Sequence, residues 1–552
     1  MPVEQVPAPR SNSDGSVKET VESILVAFIL AFIFRAFVVE AFVIPTGSMA
    51  PTLYGAHMRF RCPDCGYLFE VGYSSPTGSE DNIPGSADQR MDYECPNCGY
   101  IFHQRDAASD LPIERPVRFG DRILVLKYLY LFEKPKRGDT VVFKSPSEVK
   151  SDPEDPEYSV NYIKRLIGIG PESVVLLDGD VYIGPGNAGD DPRAASQYHI
   201  WRKPEHVQNV LWRNVYDNDF IPHLPQADRS HPWTQPWEQV TPSNGWKLGQ
   251  SRVFSFNGTS STGSIAFNAE VNPSSHYLTD YLVYDEAEHA MRNWISHARY
   301  ISDLKLACTY TRHSAWGSGP FDLVLTKNDD CFTARIENGT VSLIHSKVVG
   351  GSNERAFQAV SPKTIGQPVK LAALSQLDPV RIELINVDYR ASVRINGKEI
   401  IATSDADYHP DVAKLWQQAM VPGGEANVLP HVRITAANQS CDVEHLDLSR
   451  DIYYLNVDPG QSYVFWAGPE KPVHLHQGEY FVLGDNSFIS GDARYWDRGV
   501  VEPQEGINVE AGRVPDQFML GKAFFVYWPA GYRMPGTNVN VVPDFGDMRF
   551  IH

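Results

Sequence analysis

Ser48 lies in the stretch Pro45-Thr46-Gly47-Ser48-Met49-Ala50-Pro51-Thr52-Leu53, directly after the single membrane-length apolar run of the chain. A serine hydroxyl is a weak nucleophile unless a base stands within hydrogen-bond reach. No Gly-x-Ser-x-Gly elbow surrounds it, which argues against a Ser-His-Asp triad on an α/β sheet. The candidate base is Lys164, in Asn161-Tyr162-Ile163-Lys164-Arg165-Leu166-Ile167-Gly168. An ordinary lysine titrates near ~10.4 and is protonated at neutral pH. Burial among Tyr162, Ile163, Leu166 and Ile167 would disfavour the ammonium and lower that value by several units. Taken alone, a lysine flanked by apolar residues is a surface strand residue that snorkels. A third polar stretch, Gly484-Asp485-Asn486 followed by Ser490-Gly491-Asp492-Ala493-Arg494, completes the set.

A second chemistry is written in the cysteines. Cys62-Pro63-Asp64-Cys65-Gly66-Tyr67 and Cys95-Pro96-Asn97-Cys98-Gly99-Tyr100 are two knuckles of one pattern. The glycine after each second cysteine permits the tight turn that aims backbone N–H groups at thiolates, and four sulfurs satisfy tetrahedral Zn²⁺. With no open ligand position such a site is structural. Two disulfides are the competing reading, since an extracytoplasmic location is oxidising. The remaining three of the seven cysteines, Cys308, Cys331 and Cys441, are scattered and read as small buried hydrophobes.

The elements that must position these residues follow in order. Residues 1–20 read as a disordered tail rich in Pro and Ser. Residues 21–44 are nearly all apolar and read as a transmembrane helix, of which Val21–Val39 is long enough to span a bilayer if Arg35 snorkels. A cleavable leader is disfavoured by the lack of an Ala-x-Ala site, and an amphipathic surface helix by the lack of a polar face. Residues 45–56 carry the nucleophile, and 57–119 form the insertion with the cysteine knuckles. Strands are expected at Arg122–Val125 and Thr140–Phe143, an acidic loop at 148–157, and a hairpin turning at Asp178-Gly179-Asp180, all within a core segment 120–185. Residues 186–470 alternate in the manner of half-buried strands and turn at Asn338-Gly339 and Asn396-Gly397, which suggests a β-sandwich. Trp201, Trp212, Trp233, Trp237 and Trp246 fit core and hairpin packing. Residues 471–535 return to the core and 536–552 form a turn-rich tail.

Five stretches in this order resemble the conserved boxes of bacterial-type signal peptidase I, a membrane-bound serine protease with a Ser/Lys dyad: the serine box, Gly120-Asp121-Arg122-Ile123-Leu124-Val125, Arg137-Gly138-Asp139-Thr140-Val141-Val142-Phe143, the lysine box, and Gly484 to Arg494. The resemblance covers residues 20–55, 120–185 and 475–530. It implies Ser48 as nucleophile and Lys164 as general base, with the Ser48 N–H and the Thr46 hydroxyl holding the oxyanion. Ser490 would orient the Lys164 amine, and Asp492 with Arg494 would brace that loop. Met49, Leu53, Tyr162 and Ile163 match the walls of shallow pockets for small residues at −1 and −3 of a preprotein cleavage site. Lysine after Tyr-Ile, where the archaeal and endoplasmic-reticulum branch has histidine, marks the bacterial type. Ser487-Phe488-Ile489 departs from the Arg-Asp-Asn that commonly follows the family's Gly-Asp-Asn.

The fold expected is therefore mainly β: an antiparallel catalytic core with one N-terminal transmembrane helix, a small zinc-ribbon insert and a β-sandwich insert. Catalysis needs no cofactor; structural zinc is expected. The partners implied are preproteins and membrane lipid, with the insert's ligand unspecified. The resemblance, not loop charge, puts the catalytic domain outside the cytoplasmic membrane on a single-pass anchor. The 552-residue chain carries a formal charge of −19, which argues against nucleic-acid binding. A self-cleaving repressor would lack the span. The reading from another class is an anchored binding or assembly protein displaying the sandwich on a relic protease core.

Overall fold

The computed structural model of the chain describes residues 18–29, 39–73, 86–88, 92–106, 109, 111–147, 160–223, 232–241, 244–249, 251–271, 277–287, 299–313, 319–349, 357–375, 377–421, 423–425, 427–458, 464–502, 506–533 and 540–552. Of the expected tail over residues 1–20, residues 1–17 lie outside them, as does the acidic loop at 148–157, whereas residues 18–20 are helical. Arg35 also lies outside them.

Eight antiparallel strands make the sheet that carries the candidate site. Their order is Val39–Val43, Arg122–Leu126, Met519–Trp528, Thr140–Lys144, Asn161–Ile169, Glu479–Leu483 and Val514–Pro515, with Arg549–Phe550 also paired to Met519–Trp528. Side chains alternate across a strand, and here both faces are buried. Val141 and Phe143 join a cluster with Leu166, Tyr480 and Val482 on one face. Val142 joins Ile44, Met49, Leu53, Ile123 and Ile163 on the other. A four-stranded sheet, His199–Ile200, Asp180–Pro185, Glu172–Leu177 and Val473–Leu475, continues the first cluster.

The N-terminal segment corrects one expectation. A helix was expected through residue 44, but Val39–Val43 is an edge strand in register with Arg122–Leu126. Its β-branched and aromatic residues suit a pleated surface, and Glu40 pairs with Lys127 at 3.1 Å across that edge. Residues 18–29 are helical. Among the described residues no helix is long and apolar enough to cross a membrane.

The cysteine segment forms small hairpins, His57–Arg61 with Leu68–Gly72 and Tyr93–Glu94 with Ile101–Phe102. They close over a core of Phe60, Phe69, Tyr93 and Phe102 with the four cysteines. The large insertion builds a thirteen-stranded sheet between Arg213–Asp217 and Val432–Arg450. Val432–Arg450 pairs with Phe321–Lys327 near its start and Leu304–Arg312 near its end, while Phe254–Phe267 and Arg213–Asp217 occupy its other edge. The sheet bends there, so Phe321–Lys327 packs on Val380–Val387 and one apolar core fills the space between. The Asn-Gly turns lie where the sequence suggested. Asn338 and Asn396 have φ of 51° and 49°, followed by Gly339 and Gly397 at 74° and 77°, the left-handed pair of a two-residue hairpin. Trp233, Trp237 and Trp246 are buried and Trp201 and Trp212 partly so.

Segments flanking the sandwich belong to the core. The helix Glu205–Leu211 contributes Val207 and Leu211, and Ile452, Tyr454 and Ala467 pack there too. Within the closing segment, Ile551 sits in the Val142 cluster and Arg549 pairs with Asp121 at 3.1 Å.

Candidate active site

Ser48 occupies a single 3-10 turn, Gly47–Met49, held by the Ala50 N–H donating to the Gly47 carbonyl at 2.9 Å. Lys164 stands mid-strand, opposite Val141 on one side, while Arg165 lies opposite Leu483 on the other. The two meet: Lys164 Nζ donates to Ser48 Oγ at 2.6 Å. Both are buried, Ser48 at 6% and Lys164 at 4% exposure. Burial lowers Lys164 to about 8, against the pull of the Asp492 charge and with help from Arg494. A deprotonated amine is thereby accessible near neutrality, and the same contact then runs the other way, with the serine O–H donating to nitrogen. Tyr162 offers its ring face to the amine, with the nitrogen 5.3 Å from the centroid.

Around this pair the polar boxes converge. Thr46 Oγ1 donates to Ser48 Oγ at 3.4 Å from an exposed position. Asp492 and Arg494 form a fully buried fork, Nε to Oδ1 and Nη2 to Oδ2 both at 2.8 Å, and the Gly484 N–H donates to Asp492 at 3.0 Å. Arg494 also donates to Ser487 Oγ at 2.8 Å and to the Leu455 carbonyl at 3.1 Å. Ser487, the departure noted in the sequence, thus gives the arginine a local acceptor. Ser490 is buried at 1% exposure, and its Oγ makes no hydrogen bond among the described residues. The expected hydrogen bond to the Lys164 amine is not formed. A Cβ on Gly484 would meet Ser490 Oγ at 2.2 Å and the Ser48 carbonyl oxygen at 2.4 Å, so the glycine leaves room for both. Of the four expected pocket walls, Met49 and Leu53 are fully buried core residues, Ile163 keeps 8% exposure, and Tyr162 is half-buried.

Two features escaped the sequence. Arg165, beside the lysine, forks onto Asp485 at 2.7 and 2.6 Å, both side chains fully buried. It also holds the carbonyls of Gly138 and His552 at 2.7 and 2.8 Å. An arginine next to the candidate lysine and an aspartate in the Gly-Asp-Asn turn were the available signals. The second feature comes from the large insertion. Its 3-10 segment Val283–Ala287 packs on Leu68–Gly72 and over the nucleophile turn. Asp285 Oδ1 accepts from Asn486 Nδ2 at 2.6 Å, and the Asn486 N–H donates to the Ser48 carbonyl at 3.1 Å. A Cβ on Gly47 would come within 2.2 Å of a Tyr284 ring carbon. Nothing in the sequence around Tyr284 and Asp285 signalled this.

The cysteines gather as well. Cys62 and Cys98 sulfurs lie 3.6 Å apart and Cys65 and Cys95 sulfurs 3.7 Å. All four are free thiols and fall in one cluster. A disulfide needs sulfurs about 2.05 Å apart. Zinc–sulfur bonds of about 2.3 Å in a tetrahedron put the sulfurs roughly 3.8 Å apart. The observed spacings fit the metal. Gly66 and Gly99 take φ of +82° and +68° and donate to the Cys62 and Cys95 carbonyls at 2.9 and 2.8 Å, the turn the knuckle pattern requires.

The family model for signal peptidase, peptidase S26, matches residues 17–62, 112–258 and 385–528, more than half the chain. The chain belongs to this family. Its relatives include signal peptidase I of Rickettsia bellii (strain OSU 85-389), 25% identical over 31% of this chain and 42% of that protein. Signal peptidase I of Rickettsia prowazekii (strain Madrid E) is 27% identical over 31% of this chain and 45% of that protein. The chain thus spans less than half the length of these curated relatives. The family match skips residues 63–111, most of the cysteine insertion, and 259–384 within the large one. Overlaps with solved structures are partial and of low TM-score. A carbohydrate binding module, CBM66 from Bacillus subtilis, gives 0.22 at 9% identity over 39% of this chain and 95% of that one. A legume lectin-like domain from Entamoeba histolytica gives 0.23 at 10% identity over 39% and 89%.

Proposed function

We propose that this S26 family member is a signal peptidase I that cleaves signal peptides from exported preproteins, using Ser48 as nucleophile and Lys164 as general base. The observation that carries the reading is the buried 2.6 Å contact between Lys164 Nζ and Ser48 Oγ. Ser48 Oγ attacks the scissile carbonyl carbon while neutral Lys164 accepts the hydroxyl proton. The C–N bond then breaks, and Lys164 gives that proton to the leaving amine. Water attacks the acyl-enzyme, Lys164 accepts its proton, and the ester breaks to return the proton to Ser48. The Ser48 N–H and the Thr46 hydroxyl hold the oxyanion, a role of about 3 kcal/mol per donor in such sites. The unpartnered Ser490 hydroxyl is free to rotate toward the lysine amine. Tyr162 and Ile163, with Met49 and Leu53 beneath, bound the pockets for small residues at −1 and −3.

The membrane anchor belongs to the same proposal: the apolar run from residue 21 up to the edge strand crosses the cytoplasmic membrane, and the core acts on its outer side. Cys62, Cys65, Cys95 and Cys98 hold one structural zinc. When bound, it clamps two hairpins through four thiolates and takes no part in the reaction. No observation favours the binding-protein alternative, because the dyad and its braces are intact.

The test is cleavage of a preprotein bearing an Ala-x-Ala site by the detergent-solubilised chain, wild type against Lys164→Ala. Cleavage by wild type alone is expected. Equal cleavage by a folded Lys164→Ala protein would overturn the assignment of the base, and cleavage by neither the assignment of substrate.

A further inference from the structure

The nucleophile loop, the zinc-ribbon insertion and the large insertion together enclose a cavity of about 240 Å³, bounded in part by Tyr54, Cys95, Arg213, Tyr284 and Arg450. Two arginines face one space at a three-way junction, each only 5% exposed. Among the described residues neither guanidinium has a carboxylate partner within 4.0 Å. Arg450 spends its Nη groups on the carbonyls of Asp451 and Tyr281 at 3.0 and 2.8 Å. Arg213 spends only Nη1, on the carbonyls of Val210 and Trp212 at 3.0 and 3.4 Å. Among the described residues its Nε and Nη2 have no hydrogen-bond partner.

That vacant pair is informative. Nε and Nη2 form one edge of the guanidinium, the edge that receives a carboxylate or phosphate with two parallel hydrogen bonds. An arginine cannot shed its charge to escape burial, and a buried unpaired charge is strongly destabilising. Two more buried donors line the same wall, Asn214 Nδ2, beside the Tyr67 hydroxyl, and Tyr284 Oη, beside the Gly55 N–H. The carboxylate of Glu70 lines the cavity, but Arg59 Nε holds it at 2.8 Å and the Tyr54 hydroxyl at 3.0 Å. Glu94 also reaches the wall. Burial pushes both arginines below their ordinary values, Arg450 to about 10.

We propose that this cavity binds a small oxyanion, a carboxylate or a phosphate, received on the Nε–Nη2 edge of Arg213 with Asn214 and Tyr284 as flanking donors. The positive charge of Arg450 adds to the attraction without a direct bond. The site stands apart from the Ser48–Lys164 pair, although Pro51 and Tyr54 of the nucleophile loop form part of its wall.

The experiment is calorimetric titration of the purified full chain with inorganic phosphate and, separately, with acetate at constant ionic strength. Saturable binding at one site per chain is expected for at least one of them, and which of them binds identifies the ligand class. Arg213→Gln should weaken it at least tenfold and Arg213→Lys nearly as much, since lysine keeps the charge and loses the fork. Arg193→Gln, at an exposed arginine, should leave it unchanged. Absence of saturable binding by both anions, or equal weakening by Arg193→Gln, would overturn the proposal. Should the Arg213 variants fail to fold, wild-type crystals soaked in selenate decide. An anomalous peak against Arg213 supports the site; peaks only elsewhere, or ordered water alone in the cavity, refute it.

Discussion

Asp285 Oδ1 and Asn486 Nδ2 are hydrogen bonded at 2.6 Å, joining a residue of the large insertion to the turn that holds the nucleophile's carbonyl. The insertion is therefore part of the site. Replacing Asp285 by leucine leaves the buried Asn486 amide without its acceptor, a loss of about 1–3 kcal/mol. Part of that loss falls on the orientation of Ser48. We expect kcat to drop roughly tenfold with KM nearly unchanged, and Asp285→Asn, which keeps an acceptor oxygen, to retain most activity. A lowered Tm with both kinetic constants intact would reduce Asp285 to a structural contact.

The approach of Tyr284 to Gly47 gives a second expectation. Any side chain at position 47 meets the ring at 2.2 Å. Gly47→Ala should cost activity by displacing the ring or the nucleophile turn. Adding Tyr284→Ala should restore much of it, a coupling that a double-mutant cycle measures directly.

With Lys164 as the proposed base, its amine sets the pH dependence. The proposed mechanism needs the free amine, which burial makes available from about pH 8. The rate constant kcat/KM should rise about tenfold per unit up to that pH and then level. Stability carries the same signature. The unfolded chain holds the lysine proton up to ~10.4, the folded chain only to about 8. Folding is therefore penalised as pH falls through that window, by about 3 kcal/mol once the fall is complete. Lys164→Met should raise stability at pH 7 and lose that advantage near pH 10.5, as read by urea denaturation.

The Asp492–Arg494 fork is completely buried. Asp492→Asn leaves an uncompensated guanidinium, so stability should fall by about 3–5 kcal/mol. Asp492→Leu combined with Arg494→Met should cost less than the single change. Denaturant midpoints with equal slopes provide the comparison.

Metal analysis of the purified chain should return one zinc per chain, falling to none in Cys95→Ser. Asp64 and Asn97, inside the two knuckles, hold the backbone N–H groups of His223 and Asp217 at 2.7 and 2.9 Å. Chelation should therefore expose the 217–223 segment to protease as well as the knuckles.

What the sequence made legible was local. The serine and lysine boxes, the left-handed Asn-Gly turns and the glycines of the knuckles each act through neighbours in the chain, so their types and spacing carried the message. Tyr284 and Asp285 act through residues far from them in sequence, and no periodicity marks them. The same reasoning explains the misplaced helix end. Residues 39–43 are apolar enough to prolong a helix, but their pairing with Arg122–Leu126 is a tertiary fact. Ser490 was placed in the right neighbourhood, yet the direction of its hydroxyl depends on packing at Gly484.

The order of strands in the catalytic sheet has a consequence for synthesis. Ser48 and Lys164 emerge early, but the strand flanking the lysine, Glu479–Leu483, and the neighbour of Thr140–Lys144, Met519–Trp528, are made last. Domains fold as their chains are completed, and here the interval is filled by a whole sandwich. The lysine thus stays solvated and fully charged until residues 479–552 arrive to bury it. On the proposed mechanism, a nascent chain carries both side chains of the dyad but is not yet a protease.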